Sequence, residues 1–325
     1  MKAIEGFSRI ALLGFFASHI PITLMVDGQA SLFRFPYPQA LTDLVAWYAA
    51  TTRDPHFLSA PVFAPWFASM TTWEIVFQVP YFFAAVYMLS QTTKQTYPEW
   101  FRLYSILYGA STATTLIPIL AVNLTNRDVA WLYRVGLSVV YLPYLVFPLW
   151  MVQKSWVPTK PIAFKPMTGL VFLSFFGFFA FHIPVSLLID GQVLFQSWSV
   201  WFPQPTRDFL AFYVSSVTDP VMTPPHAVWF RSVVLMELLF QVPFFVVALR
   251  FMTGRHVLWP AWFHSYTLCY SAQAFTVMLP IYATLFLEES STDTLGIYLP
   301  YALFPLWSTA LCIRASYPTT RTKTE

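Results

Sequence analysis

The sequence predicts an all-α integral membrane protein in which eight transmembrane helices form two parallel four-helix repeats. Three observations predict this fold: the composition, the length of the apolar stretches and an internal duplication. Of the 325 residues, 57% are hydrophobic and 10% are charged, whereas roughly a quarter of the residues of a soluble globular chain are charged. Long continuous apolar runs indicate helices, because in hydrocarbon only helices and closed barrels satisfy their own backbone hydrogen bonds.

The duplication is visible in the sequence itself. Residues 14–29, GFFASHIPITLMVDGQ, return at 177–192 as GFFAFHIPVSLLIDGQ. The same register continues through WEIVFQVPYF and MELLFQVPFF, where Glu74 pairs with Glu237. A repeat of this length predicts two modules of one architecture.

Each repeat contains four apolar stretches long enough to cross a bilayer. The expected spans are 7–26, 66–90, 100–124, 130–153, 165–189, 228–252, 261–287 and 294–314. The expected modules are residues 1–157 and 158–325. Because four helices return the chain to its starting side, the repeats are expected to be parallel, about an axis along the membrane normal. The polar, proline-rich connections after the first and fifth spans are expected to form lids of short helices.

Basic residues give the expected orientation of the spans. The positive-inside rule places both termini and the even-numbered loops in the cytosol. That assignment collects ten basic residues on the cytosolic side: Lys2, Lys94, Lys154, Lys160, Lys165, Arg250, Arg255, Arg314, Arg321 and Lys323. The basic ending at 321–325 favours the membrane of the endoplasmic reticulum. A formal net charge of +3 is too small and too dispersed to indicate a nucleic-acid partner.

Both repeats carry the same ionisable residues within apolar sequence. A carboxylate inside a span is costly and usually faces a protein interior or a cavity, which makes Glu74 and Glu237 the strongest candidates. Residues four or eight positions apart on a helix share a face, so the acids can converge. The candidate catalytic residues are His19, Asp27, Asp54 and Glu74 in the first copy, and His182, Asp190, Asp219 and Glu237 in the second.

Neighbouring polar and aromatic residues are candidates for binding a substrate. Deep tyrosine rings are suited to a cationic intermediate, because a ring face attracts positive charge. The candidates are Gln78, Gln241, Thr114, Thr115, Tyr108, Tyr144, Tyr270 and Tyr301. An alternative interpretation is that the same acids, amides and histidines form a hydrogen-bonded network that only locks the helices together. No metal-ligand spacing or glycine-rich phosphate loop is present, so neither a metal nor a cofactor is expected.

Five motifs carry a family resemblance. SHIPITLMVDGQ, WYAATTRDP, WEIVFQVPYF, TTLIPIL and YLPYLVFP, in this order, closely resemble the EXPERA family of membrane proteins, which includes the sigma-2 receptor and the sterol isomerase emopamil-binding protein. The second repeat resembles the family more loosely. The resemblance implies four-helix modules whose lumenal halves enclose a pocket for a sterol or an amphiphilic amine. It also implies a ligand counter-ion with two supporting acids in each copy: Asp27 with Asp54 and Glu74, and Asp190 with Asp219 and Glu237.

The second copy departs from the first at two places. Phe181 stands where the first copy has Ser18, and Thr276-Val277 stands where the first has Thr114-Thr115. The second pocket is therefore the candidate for a degenerate site.

Two functional hypotheses follow. The first is a membrane enzyme that uses a buried carboxylic acid to start carbocation chemistry on an isoprenoid, either cyclising an epoxidised prenyl chain, as meroterpenoid cyclases do, or moving a sterol-type double bond. The second is a non-catalytic sterol or lipid binding protein of lipid trafficking. Two full acid sets favour the enzyme, because binding a neutral sterol needs fewer buried charges. A transporter ranks below both, and a homodimer is left open.

Overall fold

The part of the chain that the structure describes contains eight membrane-spanning segments. The computed structural model describes residues 1–93, 95–159, 162–195, 200–288, 290 and 292–317. The segments long and apolar enough to cross a bilayer are Gly6–Ala30, Pro65–Ser90, Glu99–Thr125, Trp131–Ser155, Gly169–Leu194, Val228–Thr253, Ala261–Leu287 and Thr292–Ser316. The predicted all-α membrane fold is thus confirmed. The fifth span, expected at 165–189, begins at Gly169 and ends later, at Leu194, because helical structure continues through its Asp-Gly-Gln sequence.

Helices α2 and α10 are the short helices expected in the two long connections, and they are called the lid helices here. The end of the bundle on which they lie is called the lid end. In chain order the helices are α1 (Gly6–Met25), α2 (Gln39–Thr52), α3 (Pro65–Trp73), α4 (Val79–Ser90), α5 (Glu99–Thr125), α6 (Trp131–Tyr141), α7 (Pro143–Ser155), α8 (Gly169–Val185), α9 (Gly191–Leu194), α10 (Gln204–Ser216), α11 (Val228–Met236), α12 (Val242–Thr253), α13 (Ala261–Leu287) and α14 (Thr292–Ser316).

The second span of each module is interrupted by a wide, π-helical turn. This turn is Glu74–Gln78 between α3 and α4, and Glu237–Gln241 between α11 and α12. A proline, Pro80 or Pro243, follows in the first turn of the next helix. Because proline has no N–H to donate, the regular pattern of α-helical backbone hydrogen bonds is interrupted at this residue. Such turns are often found at functional sites, and here each one begins with the acidic residue of the span.

The two modules pack against each other through their second and third spans. Helix α5 contacts α11 and α13, and α3 contacts α13. The indole rings of Trp66 and Trp229 stack across this interface, with centroids 5.8 Å apart. The hydroxyl oxygens of Ser111 and Thr276 lie 2.8 Å apart within it. A single cluster of buried apolar side chains therefore contains residues of both modules.

A buried arginine ties the modules together at the end opposite the lids. Arg102 is 0% exposed. Its Nε donates to Glu99 Oε1 at 2.7 Å, and its Nη1 donates to the Ser155 carbonyl at 3.3 Å and to Ser265 Oγ at 3.4 Å. Because a buried charge is tolerated only when it is paired and hydrogen-bonded, this cluster fixes the register of α5, α7 and α13. The sequence analysis did not single out Arg102.

The orientation across the membrane stays a prediction. Among the basic residues assigned to the cytosol, Lys94, Lys160, Arg321 and Lys323 lie outside the described residues, as does the ending at 321–325.

Candidate functional site

Each module encloses a cavity beside its acidic residues. The first cavity has a volume of about 280 Å³ and lies between α1, α2, α3, α5 and the fourth span. The second has about 250 Å³ and lies between the equivalent helices. These volumes are close to the lower end of the range for small-molecule sites, roughly 300 Å³. Both cavities are lined mainly by aliphatic and aromatic side chains, with a few polar groups among them.

The four predicted acids of the spans line these cavities. Asp27 and Glu74 face the first cavity, and Asp190 and Glu237 face the second. Among the described lining residues of either cavity there is no Lys or Arg. Placing two carboxylates in a water-poor space without a cation is unfavourable. The pair must therefore hold a proton between its members or receive a cationic group from a ligand.

The glutamates are held in place by hydroxyl groups on the first span of each module. Thr23 Oγ1 donates to Glu74 Oε1 at 2.6 Å, and Ser186 Oγ donates to Glu237 Oε1 at 2.5 Å. Neither hydroxyl is among the residues predicted from the sequence. Their signal is in the repeat, because each lies four residues before the aspartate and therefore on the same helical face.

Asp27 begins the tight turn Asp27–Ala30 at the end of α1. Its Oδ2 atom is buried and has no hydrogen-bond partner in the protein. The next residue must be small, because a Cβ atom on Gly28 would collide with the Tyr37 hydroxyl, which donates to the Leu24 carbonyl at 2.9 Å. The turn thus holds a carboxyl oxygen ready for a ligand to bind.

Asp54 lies behind the first cavity and is not part of its lining. Its Oδ2 accepts hydrogen bonds from the hydroxyls of Tyr48 (3.2 Å) and Tyr141 (2.7 Å), and its Oδ1 accepts one from the His56 N–H (2.9 Å). Burial, and then the Asp54 charge, raise the pKa of the Tyr48 phenol, so this phenol stays a donor. Tyr48 and Tyr141 themselves line the cavity. Asp54 therefore ties lid helix α2 to the fourth span.

The second module repeats this arrangement. Asp219 accepts from the hydroxyls of Tyr213 (2.7 Å) and Tyr298 (2.9 Å) and from the backbone N–H groups of Val221 and Met222. It also lies outside the lining of its cavity, whereas Tyr213 and Tyr298 line it.

The other predicted residues divide into two groups. Those that line a cavity are Gln78, Thr115, Tyr144, His182, Gln241, Tyr270 and Tyr301. Those that do not are His19, Tyr108 and Thr114. His19 Nδ1 bonds to the Phe15 carbonyl at 2.7 Å, and the Tyr108 ring stacks on Tyr81 with centroids 4.0 Å apart. Within the described ranges, no three His, Cys, Asp or Glu side chains come together as a metal site.

Comparison with known proteins decides the family. The model of the family described as EXPERA (EXPanded EBP superfamily) matches residues 40–155 and 205–312. This chain belongs to the EXPERA family. The two matched EXPERA segments each begin in or beside a lid helix and end in the fourth span of a module. The first segment contains Asp54 and Glu74, and the second contains Asp219 and Glu237. Asp27 and Asp190 precede these segments.

Individual known proteins match this chain over a length of about one module. The human protein named sigma intracellular receptor 2 is 39% identical over 149 residues, which cover 42% of this chain and 81% of the receptor. Its Xenopus tropicalis counterpart is 36% identical over 148 residues, covering 42% and 80%. A Schizosaccharomyces pombe protein named efficient mitochondria targeting-associated protein 19 is 30% identical over 136 residues, covering 41% and 69%.

Proposed function

We propose that the protein is a membrane-embedded binding protein for amphiphilic isoprenoid or sterol-type molecules, with one ligand per module. The observation that carries this proposal is the pair of carboxyl groups in each otherwise apolar cavity, with no Lys or Arg in the described lining. The proposed ligand has a largely apolar body and a polar head that is cationic or donates hydrogen bonds. Similarity to proteins named as receptors supports a binding role.

The lining indicates how the ligand lies in the first cavity. The head group is placed at Asp27 and Glu74, where the ring face of Tyr144 adds attraction for a cation. The apolar body packs against side chains such as Phe67 and Ile119. We further propose that the protein lies in the membrane of the endoplasmic reticulum, which its basic ending at 321–325 favours, and that it acts in lipid trafficking. The distribution of basic residues favours a lumenal position of the lid end.

A second candidate function is proton-transfer catalysis on an isoprenoid, either terpene cyclisation or movement of a double bond. The paired carboxyls favour it, because one can donate a proton to a double bond while the other removes a proton from the carbon beside the resulting cation. In such an isomerisation the two carboxyls exchange their protonation states and the double bond shifts by one position. The sequence analysis ranked this function first.

Binding ranks ahead of catalysis for two reasons. Three of the predicted catalytic residues, Asp54, Asp219 and His19, lie outside the cavity walls, so that His182 is the one predicted catalytic histidine that lines a described cavity. Both aspartates are also fully engaged in hydrogen bonds that hold the lids. What remains in each cavity is sufficient for an ionic or hydrogen-bonded contact with a head group.

The test is equilibrium binding of a radiolabelled steroid 3-amine to the full chain in lipid nanodiscs. The wild type should bind two molecules. The variants are Asp27→Asn/Glu74→Gln and Asp190→Asn/Glu237→Gln. In each variant the intact site should bind one molecule with unchanged affinity. The affinity of the altered site should fall roughly tenfold to a hundredfold, because it has lost its charged acceptors. The control variant is Glu5→Gln/Asp128→Asn, which neutralises two exposed acids and should bind like the wild type. Unchanged binding in both cavity variants would refute the proposal.

The same preparations separate the second function from the first. They are incubated with a Δ8-sterol and with an epoxidised prenyl phenol, and products are sought by mass spectrometry. A product that forms in the wild type and disappears in the acid variants would establish catalysis. If the protein binds ligand but forms no product from either substrate class, catalysis is ruled out for these substrates and the binding role is retained.

A further inference from the structure

The two cavities differ at three equivalent positions of their walls. The repeat register, confirmed by the pairs Glu74 with Glu237 and Pro118 with Pro280, aligns these positions. The first cavity has threonine at all three, and the second has only aliphatic residues. The pairs are Thr71 with Val234, Thr112 with Ala274, and Thr115 with Val277, and all six residues line their cavities.

The three threonines form a polar strip around Glu74. Thr71 precedes Glu74 by three residues on the same helical face. Thr112 Oγ1 lies 3.1 Å from Gln78 Oε1, and Gln78 follows Glu74 by four residues. Thr115 stands one turn further toward the lid end on α5. The region that receives the ligand head is therefore polar over more than one turn of helix.

The hydroxyl protons of this strip are used inside the protein. Thr71 Oγ1 donates to the Ala68 carbonyl at 3.0 Å, and Thr115 Oγ1 donates to the Thr112 carbonyl at 2.9 Å. The hydroxyl oxygens thus keep lone pairs that can accept from a ligand. A second donor on the ligand head, next to the group held by Glu74, would find partners here.

The second cavity offers no hydroxyl at these places. Its acids and Gln241 are retained, so it keeps a head-group site. At the three exchanged positions the wall is formed by the methyl groups of Val234, Ala274 and Val277, while the imidazole of His182 and several tyrosine rings form other parts of the lining. A second polar group of the ligand placed against these three positions would lose its water without gaining a partner, which is unfavourable.

We propose that the two cavities select different ligands. The first takes an amphiphile with two adjacent hydrogen-bonding groups in its head, such as an amino alcohol or a diol. The second takes one with a single polar group. This inference rests on the proposed binding function and deepens it. The duplication has then produced two sites of unequal specificity, which differ in whether a second polar group of the ligand finds a hydroxyl at these three positions.

The test compares two probes on proteins with one working site. The variant Asp190→Asn/Glu237→Gln reports on the first cavity, and Asp27→Asn/Glu74→Gln reports on the second. The probes are a steroid 3-amine and its derivative with a hydroxyl group on the neighbouring ring carbon. The first cavity should bind the hydroxylated amine about tenfold more tightly than the parent, equivalent to one hydrogen bond, and the second should prefer the parent by a similar factor.

Exchanging the walls should exchange the preference. Thr71→Val/Thr112→Ala/Thr115→Val in the first-cavity protein should remove its preference for the hydroxylated amine. The Thr-to-Val changes conserve side-chain volume, so folding should persist. Val234→Thr/Ala274→Thr/Val277→Thr in the second-cavity protein should create that preference. Thr267→Val removes a buried hydroxyl of α13 outside the described lining of both cavities and should change neither ratio.

The outcomes separate this inference from the proposed function. If the parent amine binds both sites but neither site distinguishes the probes, or if the preference survives the wall exchange, the two cavities are equivalent and the inference is wrong. If neither probe binds either site, the binding function fails and the inference fails with it.

Discussion

Single side chains decide what the acids of this protein do. Thr23 and Ser186 each donate to one oxygen of a glutamate that lines a cavity, whereas Tyr48 and Tyr141 bind Asp54 outside the lining of the first cavity. All these acids are equivalent in a hydropathy profile, since each is a carboxyl group in or near apolar sequence. The hydrogen-bond donors around each carboxyl separate a ligand-facing role from a role in holding the lid.

His56 should make the folding stability of the protein dependent on pH. It is 5% exposed, stacks on Phe67 and lies beside Asp54. Burial lowers the pKa of His56, and the Asp54 charge opposes this only in part. The unfolded chain therefore binds the proton more readily. Folding stability should fall as the pH drops below about 6.5, by at most about 1.4 kcal/mol per pH unit.

The measurement is thermal unfolding in detergent at pH 7.5, 6.5 and 5.5. His56→Gln should flatten the decline relative to the wild type, while the exposed His256→Gln should not. If the melting temperature of His56→Gln falls with decreasing pH as steeply as that of the wild type, other groups cause the acid sensitivity.

At the scale of elements, the lid helices depend on their aspartates. Asp54→Asn replaces one of the two accepting carboxylate oxygens with an amide nitrogen, which donates and cannot accept a hydrogen bond, and should cost about 1–3 kcal/mol locally. Amide exchange in 39–52 should speed up, while 99–125 should keep its protection. The control Asp43→Asn lies exposed on the same helix and accepts only from Gln39 among the described contacts. If amide exchange changes equally in both ranges, or in neither, Asp54 does not anchor the lid helix.

Helix packing inside the first module requires a glycine on α5. A Cβ atom on Gly109 would lie 2.5 Å from the Pro148 carbonyl oxygen of α7 and would collide with Val152. Gly109→Ala should therefore push the helices apart and destabilise the protein by about 1–3 kcal/mol. Gly136→Ala is the matched control, because nothing lies within 4 Å of its added Cβ. Equal melting temperatures for the two variants would rule out close packing at Gly109.

At the scale of the whole molecule, the two modules share one interior. Trp66 and Trp229 stack across the interface, and Arg102 reaches Ser265 of the other module. Coexpressed chains 1–157 and 158–325 should therefore copurify in mild detergent. Trp66→Ala/Trp229→Ala should weaken their association. Separate elution of the unsubstituted halves would show that the covalent link alone keeps the modules together. The domain boundary stays a prediction until this is done.

The sequence by itself determined the eight spans, the lids, the duplication and the acids that the cavities contain. These features follow from local composition and from a repeat, which can be read along one dimension. Only the tertiary structure decided that Asp54 and His19 lie outside the first cavity, that Thr23 holds Glu74, and that Arg102 joins the modules. The physical reason is that the direction of a side chain depends on helix rotation, on the π-helical turns and on contacts between distant spans, and none of these is encoded in hydropathy.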